Sequence, residues 1–438
     1  MHTSQLTKAR IGILGMSAEG RSVLSALRRW GHTGELIALA DRRSDFTADG
    51  LRWQTGDQQR AGLADVEVLI RSPGFPPHHP TLQQAREAGI TVTSATDIFV
   101  HAVREAGLPL IGITGSKGKS TTATLAWRML QSAGIDSVLV GNIGVPALDH
   151  LDAILADRKA SVFEMSSYQC HSLTRGPSIG VLLDLFPEHM TWHGGTDQYY
   201  AAKLNLAATQ RAEDVFLFNR FWSTPPGPGQ HRCINHRDDL HYADGWFCRG
   251  QTRLCSDAGM LLRGDHQRRN ATSAFAAAEY LGAAPTDLKA AITTFSGLPH
   301  RMQDLGVFSG IRWFDDSIST APEAAAAAIA ALGSEAATLI VGGMDRGYDF
   351  APLVAALRSS AVRTVLLMPD SGEAVARLLA GSDHHIEATP DLETAVARAA
   401  LLTPSGRACL FSPASPSYNQ FRNFKERGER FATLVRAL

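Results

Sequence analysis

The stretch that most constrains this chain is LPLIGITGSKGKSTTATLAWRML, residues 108–130. An apolar run, a glycine loop and an amphipathic helical pattern follow one another without a break. A buried strand that turns through glycines into a helix leaves backbone amides at the helix N-terminus, where they favour negative charge. Within Thr114-Gly115-Ser116-Lys117-Gly118-Lys119-Ser120-Thr121, Lys119 is placed to reach the β- and γ-phosphates of ATP, and Ser120 or Thr121 to bind Mg²⁺. The strict G-x-x-x-x-G-K-[ST] pattern asks for Gly at position 113, where Ile113 stands. A glycine turn with a surface lysine is the bland alternative, and the flanking strand and helix weigh against it.

The same alternation recurs to either side. Apolar runs at Arg10–Leu14, Leu36–Ala40 and Val66–Ile70 enclose a helical pattern from about Glu19 to Arg29. Further runs lie at Ser161–Phe163, Ile179–Leu185, Ile311–Phe314, Thr338–Val341, Thr364–Leu367 and Ala408–Phe411. Strands alternating with helices make an α/β chain with parallel sheets, whose ligands sit beyond the carboxyl ends of the strands. The alanine-rich run Ala324–Leu332 reads as a packed helix behind Pro322. Asn219–Leu262 reads as irregular or short-stranded, an insertion or a sheet edge. A chain of 438 residues exceeds one ordinary core, and the breaks suggest three domains, residues 1–106, 107–298 and 299–438.

Composition mainly excludes. A formal net charge of −1 provides no general field for nucleic acid or anionic membrane. No run of 18 apolar residues offers a membrane span, and the N-terminus has no signal-peptide pattern. The five cysteines are scattered without metal-ligand spacing and read as reduced thiols of a cytoplasmic protein.

Other strand ends carry weaker signals. Glu164, in FEMSSYQ, can hold Mg²⁺ against phosphates, although a capping or surface Glu is commoner. His189, in DLFPEHM, can meet a metal or a substrate oxygen, or be a satisfied structural histidine. Lys203, in YYAAKL, reads from local physics as a helix-surface lysine. Arg301, in LPHR, falls at a proposed domain boundary, where an Arg can reach a phosphate or make a structural ion pair. Asp316 can bind ribose hydroxyls or a cation, or cap a turn. The loop SPASPSYNQF opening a C-terminal helix can hold a carboxylate.

In this order, ITGSKGKST, GNIGVPAL, FEMSSYQ, PEHM, YYAAKLNL, GLPHR, DDS, VGGMDRGYDF and SPASPSYNQFRNFKERG resemble the Mur ligase family of peptidoglycan synthesis, over nearly the whole chain. The resemblance implies a Rossmann-like N-terminal domain for a UDP-sugar, a P-loop-type central ATPase domain and a Rossmann-like C-terminal domain. It implies a monomer that uses ATP and Mg²⁺ to join glutamate to UDP-N-acetylmuramoyl-L-alanine through an acyl phosphate. By position it implies ATP contacts from Gly115 to Thr121, Asn270, Arg301 and Asp316. UDP-sugar contacts fall on Ala18, Glu19, Asp41, Arg42, Ser72, Pro73, Gly74, Asn142 and His189. Lys119, Glu164, His189 and a carbamylated Lys203 form the implied catalytic set. Ser120, Glu164, His189 and that carbamate form the metal set, and Arg346, Ser417 and Phe424 meet glutamate.

The departures are informative. Lys117 stands where the family usually has Asn, and His266-Gln267 where it has a His-Asn pair. Ile318 and Arg346 stand where the D-glutamate-adding enzymes supply lysines. SISTAPEA and EGRS are more similar to the branch that adds L-glutamate, so L-glutamate is expected and D-glutamate is the alternative. A folylpolyglutamate-type ligase shares the ATP loop, but usually lacks a domain like the segment from Arg10 to Gly74. A non-catalytic dinucleotide-binding module would want GxGxxG, which Gly12, Gly15 and Gly20 do not form.

Overall fold

A computed structural model describes residues 3–41, 46, 48–56, 62–142, 146–219, 225–262 and 264–438. The chain divides into two compact units, Met1–Phe295 and Ser296–Leu438.

The first unit holds two all-parallel sheets. One has five strands in the spatial order Leu51–Thr55, Leu36–Ala40, Ile11–Leu14, Val68–Arg71, Thr91–Ser94. Its three inner strands are buried throughout, as runs such as IGIL and LIALA require when helices cover both faces. The other has six strands, ordered Gln230–Ile234, Val215–Asn219, Ile179–Leu182, Leu110–Thr114, Ala160–Glu164, Ser137–Gly141. One hydrophobic cluster joins the two sheets, with Phe99 meeting Phe163 edge-on at 5.3 Å. Phe99 lies on the helix Ala95–Glu105, whose Ser94 cap accepts the amide of Asp97.

The segment left open as an insertion or a sheet edge is both. Gln230–Ile234 adds an edge strand, and Leu240–Ala243, Trp246–Arg249 and Thr252–Ser256 form a separate antiparallel sheet.

The second unit has one sheet of six strands, ordered Gln303–Phe308, Ile311–Asp315, Ala408–Phe411, Ala336–Val341, Thr364–Leu367, His385–Ala388. Only its first pair is antiparallel. The alanine run is the helix Pro322–Leu332, with proline in its first turn. Helices cover both faces, with separate cores around Phe350 and around Trp313 and Phe431. None of the five cysteines is joined in a disulfide, and among the described residues no helix is long and apolar enough to cross a membrane.

Candidate active site

The strand Leu110–Thr114 runs into the glycine loop, and the helix Lys119–Ser132 leaves it. Gly118 caps that helix at φ 84°, a left-handed conformation that a side chain disfavours, and its Cα faces the Asn270 amide. The Lys119 ammonium folds back over the loop and donates to the carbonyls of Gly115, at 2.9 Å, and Ser116, at 2.8 Å. Ser116 Oγ binds Tyr199 Oη at 2.7 Å and donates to the Phe186 carbonyl. Ser120 and Thr121 are buried at the helix start. Asn270 donates to Gln267. Lys117, the residue that departs from the family's Asn, pairs at 2.5 Å with Glu188, next to His189.

A cavity of about 300 Å³ opens beside this loop, lined in part by Glu19, Pro73, Lys119, Asn142, His189 and Lys203. All six are residues that the sequence singled out. Five of them lie at or just past the ends of separate strands and helices, where a parallel sheet presents its ligand crevice, and Lys203 comes from the middle of the helix Thr196–Ala208. Tyr168, Glu188 and Tyr199 also line it and were not singled out.

Lys203 is not the surface lysine that local physics suggested. It is 1% exposed, and its Nζ donates to Gly115 O at 2.8 Å and to Thr114 Oγ1 at 3.3 Å. Burial, reinforced by the Lys119 charge, lowers its pKa to about 7. On the helix Thr196–Ala208 the buried residues include Tyr199, Ala202, Lys203 and Leu206. Their spacing is that of a core-facing stripe, the signal that marks this lysine as inward.

Glu164 ends the strand Ala160–Glu164 and is 1% exposed. Its Oε1 accepts Asn142 Nδ2 at 3.3 Å, while the buried Oε2 finds no hydrogen-bond partner. A buried carboxylate oxygen without a donor suits a cation. Among the described residues no three His, Cys, Asp or Glu side chains form a metal-binding group.

His189 has φ 55° before the short helix Met190–His193, and its ring lies 5.1 Å from that of Tyr168. Burial lowers its pKa, against the opposing charge of Glu188. Glu19 accepts Gln169 Nε2 at 2.9 Å, and burial raises its pKa.

Other sequence candidates stand apart from this cavity. Ala18 is exposed on the helix Ala18–Arg29. Asp41 is exposed, 3.7 Å from His79. The Ser72 hydroxyl donates to Gly15 O, which ties two strand-end loops together, and Gly74 O accepts Trp192 Nε1. Arg42, its neighbour Arg43 and residues 143–145 of GNIGVPAL lie outside the described residues.

In the second unit, Arg346, Ser417 and Phe424 line one cavity of about 270 Å³ with Ile318, Thr320 and Tyr418. The Arg346 guanidinium sits 5.7 Å from the Tyr418 ring, a cation–π distance. Asp316 is 2% exposed and both its oxygens are engaged, Oδ1 by Met302 N at 3.1 Å and Oδ2 by Ser412 Oγ at 2.7 Å. Burial raises its pKa to about 6. Arg301 is exposed.

Comparison with known proteins finds relatives over the whole chain. Residues 113–222 match the Mur ligase middle domain, and residues 300–415 match the Mur ligase, glutamate ligase domain. A UDP-N-acetylmuramoyl-L-alanine–L-glutamate ligase of Micromonospora sp. is 38% identical over 460 residues, covering 100% of this chain and 98% of its own. A UDP-N-acetylmuramoylalanine–D-glutamate ligase of Symbiobacterium thermophilum is 32% identical over 419 residues, covering 91% of this chain and 90% of its own. The fold is similar to that of the MurF ligase from Thermotoga maritima in complex with ADP. The TM-score is 0.58 at 15% identity, over 99% of this chain and 97% of that one.

Proposed function

We propose, from the premise that this chain belongs to the Mur ligase family, that it joins L-glutamate to UDP-N-acetylmuramoyl-L-alanine at the expense of ATP. The observation that carries the reading is Lys203, buried and hydrogen-bonded to the glycine loop beside Lys119 and Glu164. A second buried lysine beside Lys119 is disfavoured as a cation, and its pKa of about 7 makes the neutral amine, the form that can take up CO₂, accessible near neutral pH.

In this reading residues 1–106 hold the UDP-sugar, residues 107–298 hold ATP and residues 299–438 hold the amino acid. The protein works as a cytoplasmic monomer. The γ-phosphoryl group passes from ATP to the substrate carboxylate, giving ADP and an acyl phosphate. The α-amine of glutamate attacks that carbonyl carbon, expels phosphate and loses a proton, so an amide remains. Lys119 and the amides of the Gly115–Thr121 loop hold the phosphates, with Asn270, Arg301 and Asp316 around the nucleotide. Lys203 takes up CO₂ as its neutral amine, the new N–C bond forming as the nitrogen releases one proton to solvent, and becomes an anionic carbamate. Ser120, Glu164, His189 and that carbamate would hold Mg²⁺, which when bound neutralises charge on the phosphates. Ala18, Glu19, Asp41, Arg42, Ser72, Pro73, Gly74 and Asn142 serve the UDP-sugar, and Arg346, Ser417 and Phe424 serve glutamate.

The preference for the L-isomer is supported by Ile318, an apolar wall of the cavity that Arg346 lines, and by the relatives named for L-glutamate. One relative named for D-glutamate favours the opposite isomer. Inverting the stereocentre exchanges the directions of the carboxylate and the side chain, so the cationic partners of one isomer are misplaced for the other. The test is ADP release with each isomer and chiral analysis of the product. ADP release that requires both the UDP-muramoyl substrate and glutamate, with higher kcat/KM for L-glutamate, is expected. A higher kcat/KM for D-glutamate overturns the isomer and leaves the ligation standing.

A further inference from the structure

Arg427 is among the largest fully buried side chains of the second unit, and burial lowers its pKa to about 10. It lies one turn into the helix Phe424–Arg436, and its Nη2 donates to the carbonyls of Ser317 and Ser415, each at 3.0 Å. Its Nη1 lies at a third loop, where a Cβ on Gly343 would come within 3.0 Å of it. The nearby countercharge is Asp315, itself buried and held by His300 Nδ1 at 2.7 Å and by the amide and hydroxyl of Ser317. Gly428 leaves the room in which the His300 ring sits.

Each loop that the guanidinium meets ends a strand of the sheet and continues into a wall of the Arg346 cavity. Ser317 precedes Ile318 and Thr320, Gly343 precedes Arg346, and Ser415 precedes Pro416, Ser417 and Tyr418. Phe424, another wall, begins Arg427's own helix. Nε and Nη1 have no hydrogen-bond partner, so this cation is incompletely satisfied in a buried place. For stability alone an apolar side chain of similar volume would serve as well or better. The Gly343 and Ser415 loops are joined directly, Met344 N donating to Pro416 O at 2.8 Å and Gly342 N to Pro413 O at 3.0 Å, and Ser412 Oγ reaches Asp316 beside the Ser317 loop. What a planar, forked cation adds is one rigid group that spans all three loops nearer the cavity.

We propose that Arg427 is a positioning residue that sets the spacing of the cavity walls for the incoming amino acid. Its consequence for catalysis rests on the reading of that cavity as the glutamate site.

The test uses the full chain with Arg427→Lys, which keeps the charge and loses the fork, and Arg427→Met, which loses both. Hydrogen exchange of residues 317–320 and 415–418 should quicken at least tenfold in Arg427→Lys, while the strand Ala336–Val341 stays as protected as in the wild type. KM for glutamate should rise roughly ten- to a hundredfold, the range that a misplacement of about 1 Å produces, and KM for ATP should move less than twofold. The ratio of kcat/KM for the two glutamate isomers should fall toward one. Unchanged exchange in those loops overturns the proposal, as does a lower kcat with KM for glutamate and the isomer ratio unchanged. An Arg427→Lys chain that fails to fold also overturns it, because the residue then serves global stability. The exchange measurement needs no turnover, so a chain with no ligase activity but quickened loops defeats the proposed function and leaves the positioning role in place.

Discussion

Lys203 shows how a single side chain changes meaning with its surroundings. An ordinary lysine is protonated below its pKa of 10.5, but burial brings this one to about 7. In the unfolded chain the group binds its proton up to 10.5, so between about 7 and 10.5 the folded state holds fewer protons than the unfolded state. The destabilisation from burying the cation is therefore full below pH 7 and is relieved as pH rises through that window. The same shift makes a neutral amine available for CO₂. At equal dissolved CO₂, reactivation after CO₂ depletion should therefore be faster at pH 8 than at pH 6, as the initial rate of ADP release would record. Lys203→Ala should lose most activity and regain part of it with an added small carboxylate. A fully active Lys203→Ala would remove the carbamate from the mechanism.

Asp316 titrates in the opposite sense. Its folded pKa of about 6 exceeds the ordinary 3.8, so the folded state holds the proton more tightly. The resulting stabilisation is full below about 3.8 and is lost as pH rises through about 6. Asp316→Asn removes this dependence. Its stability relative to wild type should improve by up to roughly 3 kcal/mol between pH 4 and pH 7, as denaturant titrations at the two pH values would show.

At the scale of elements, the glycine loop depends on one backbone conformation. Gly118 has φ 84°, and a methyl group there would also run into the Asn270 amide. Forcing an L-residue into that conformation costs about 1–2 kcal/mol, so Gly118→Ala should weaken ATP use by about tenfold or more. Far-UV circular dichroism should remain that of the wild type, because the helix Lys119–Ser132 packs through Leu125, Met129 and Leu130, away from the loop. Full ATP affinity in Gly118→Ala would show that the loop tolerates another path.

Strands in sheet interiors were legible because burial on both faces forces a continuous apolar run, as in IGIL or TVLL. Edge strands were not. Leu51–Thr55, Thr91–Ser94, Gln230–Ile234, Gln303–Phe308 and His385–Ala388 are partly exposed and carry mixed polarity. Val215–Asn219 is an interior strand whose run, VFLFN, is apolar and buried like the others.

At the scale of the whole molecule, the glycine loop and the cavity beside it lie wholly within the unit Met1–Phe295. A nucleotide bound there should stabilise that unit by linkage. At a hundred times its dissociation constant, ADP with Mg²⁺ adds about 2.7 kcal/mol. That is a rise of several degrees in melting temperature for a unit of this size. Lys119→Ala should remove both the rise and ligase turnover while the unliganded chain melts as the wild type does. A persisting rise in Lys119→Ala would place the nucleotide elsewhere.

The order of motifs along the chain already determined the fold class, the strand, glycine turn and helix around Gly115–Thr121 and the residue types available for chemistry. Those features are local, since a strand, a glycine turn and a helix start are each encoded within about twenty neighbouring residues. Only the tertiary structure decided which of those residues share a cavity. Glu19, at a helix start, Asn142, past a strand end, and Lys203, in mid-helix, line one cavity because separate elements pack around it, which no local spacing records. It likewise decided that Lys203 and Arg427 are buried. The state of a buried cation depends on the charges and carbonyls folded around it, and those neighbours lie far away in sequence.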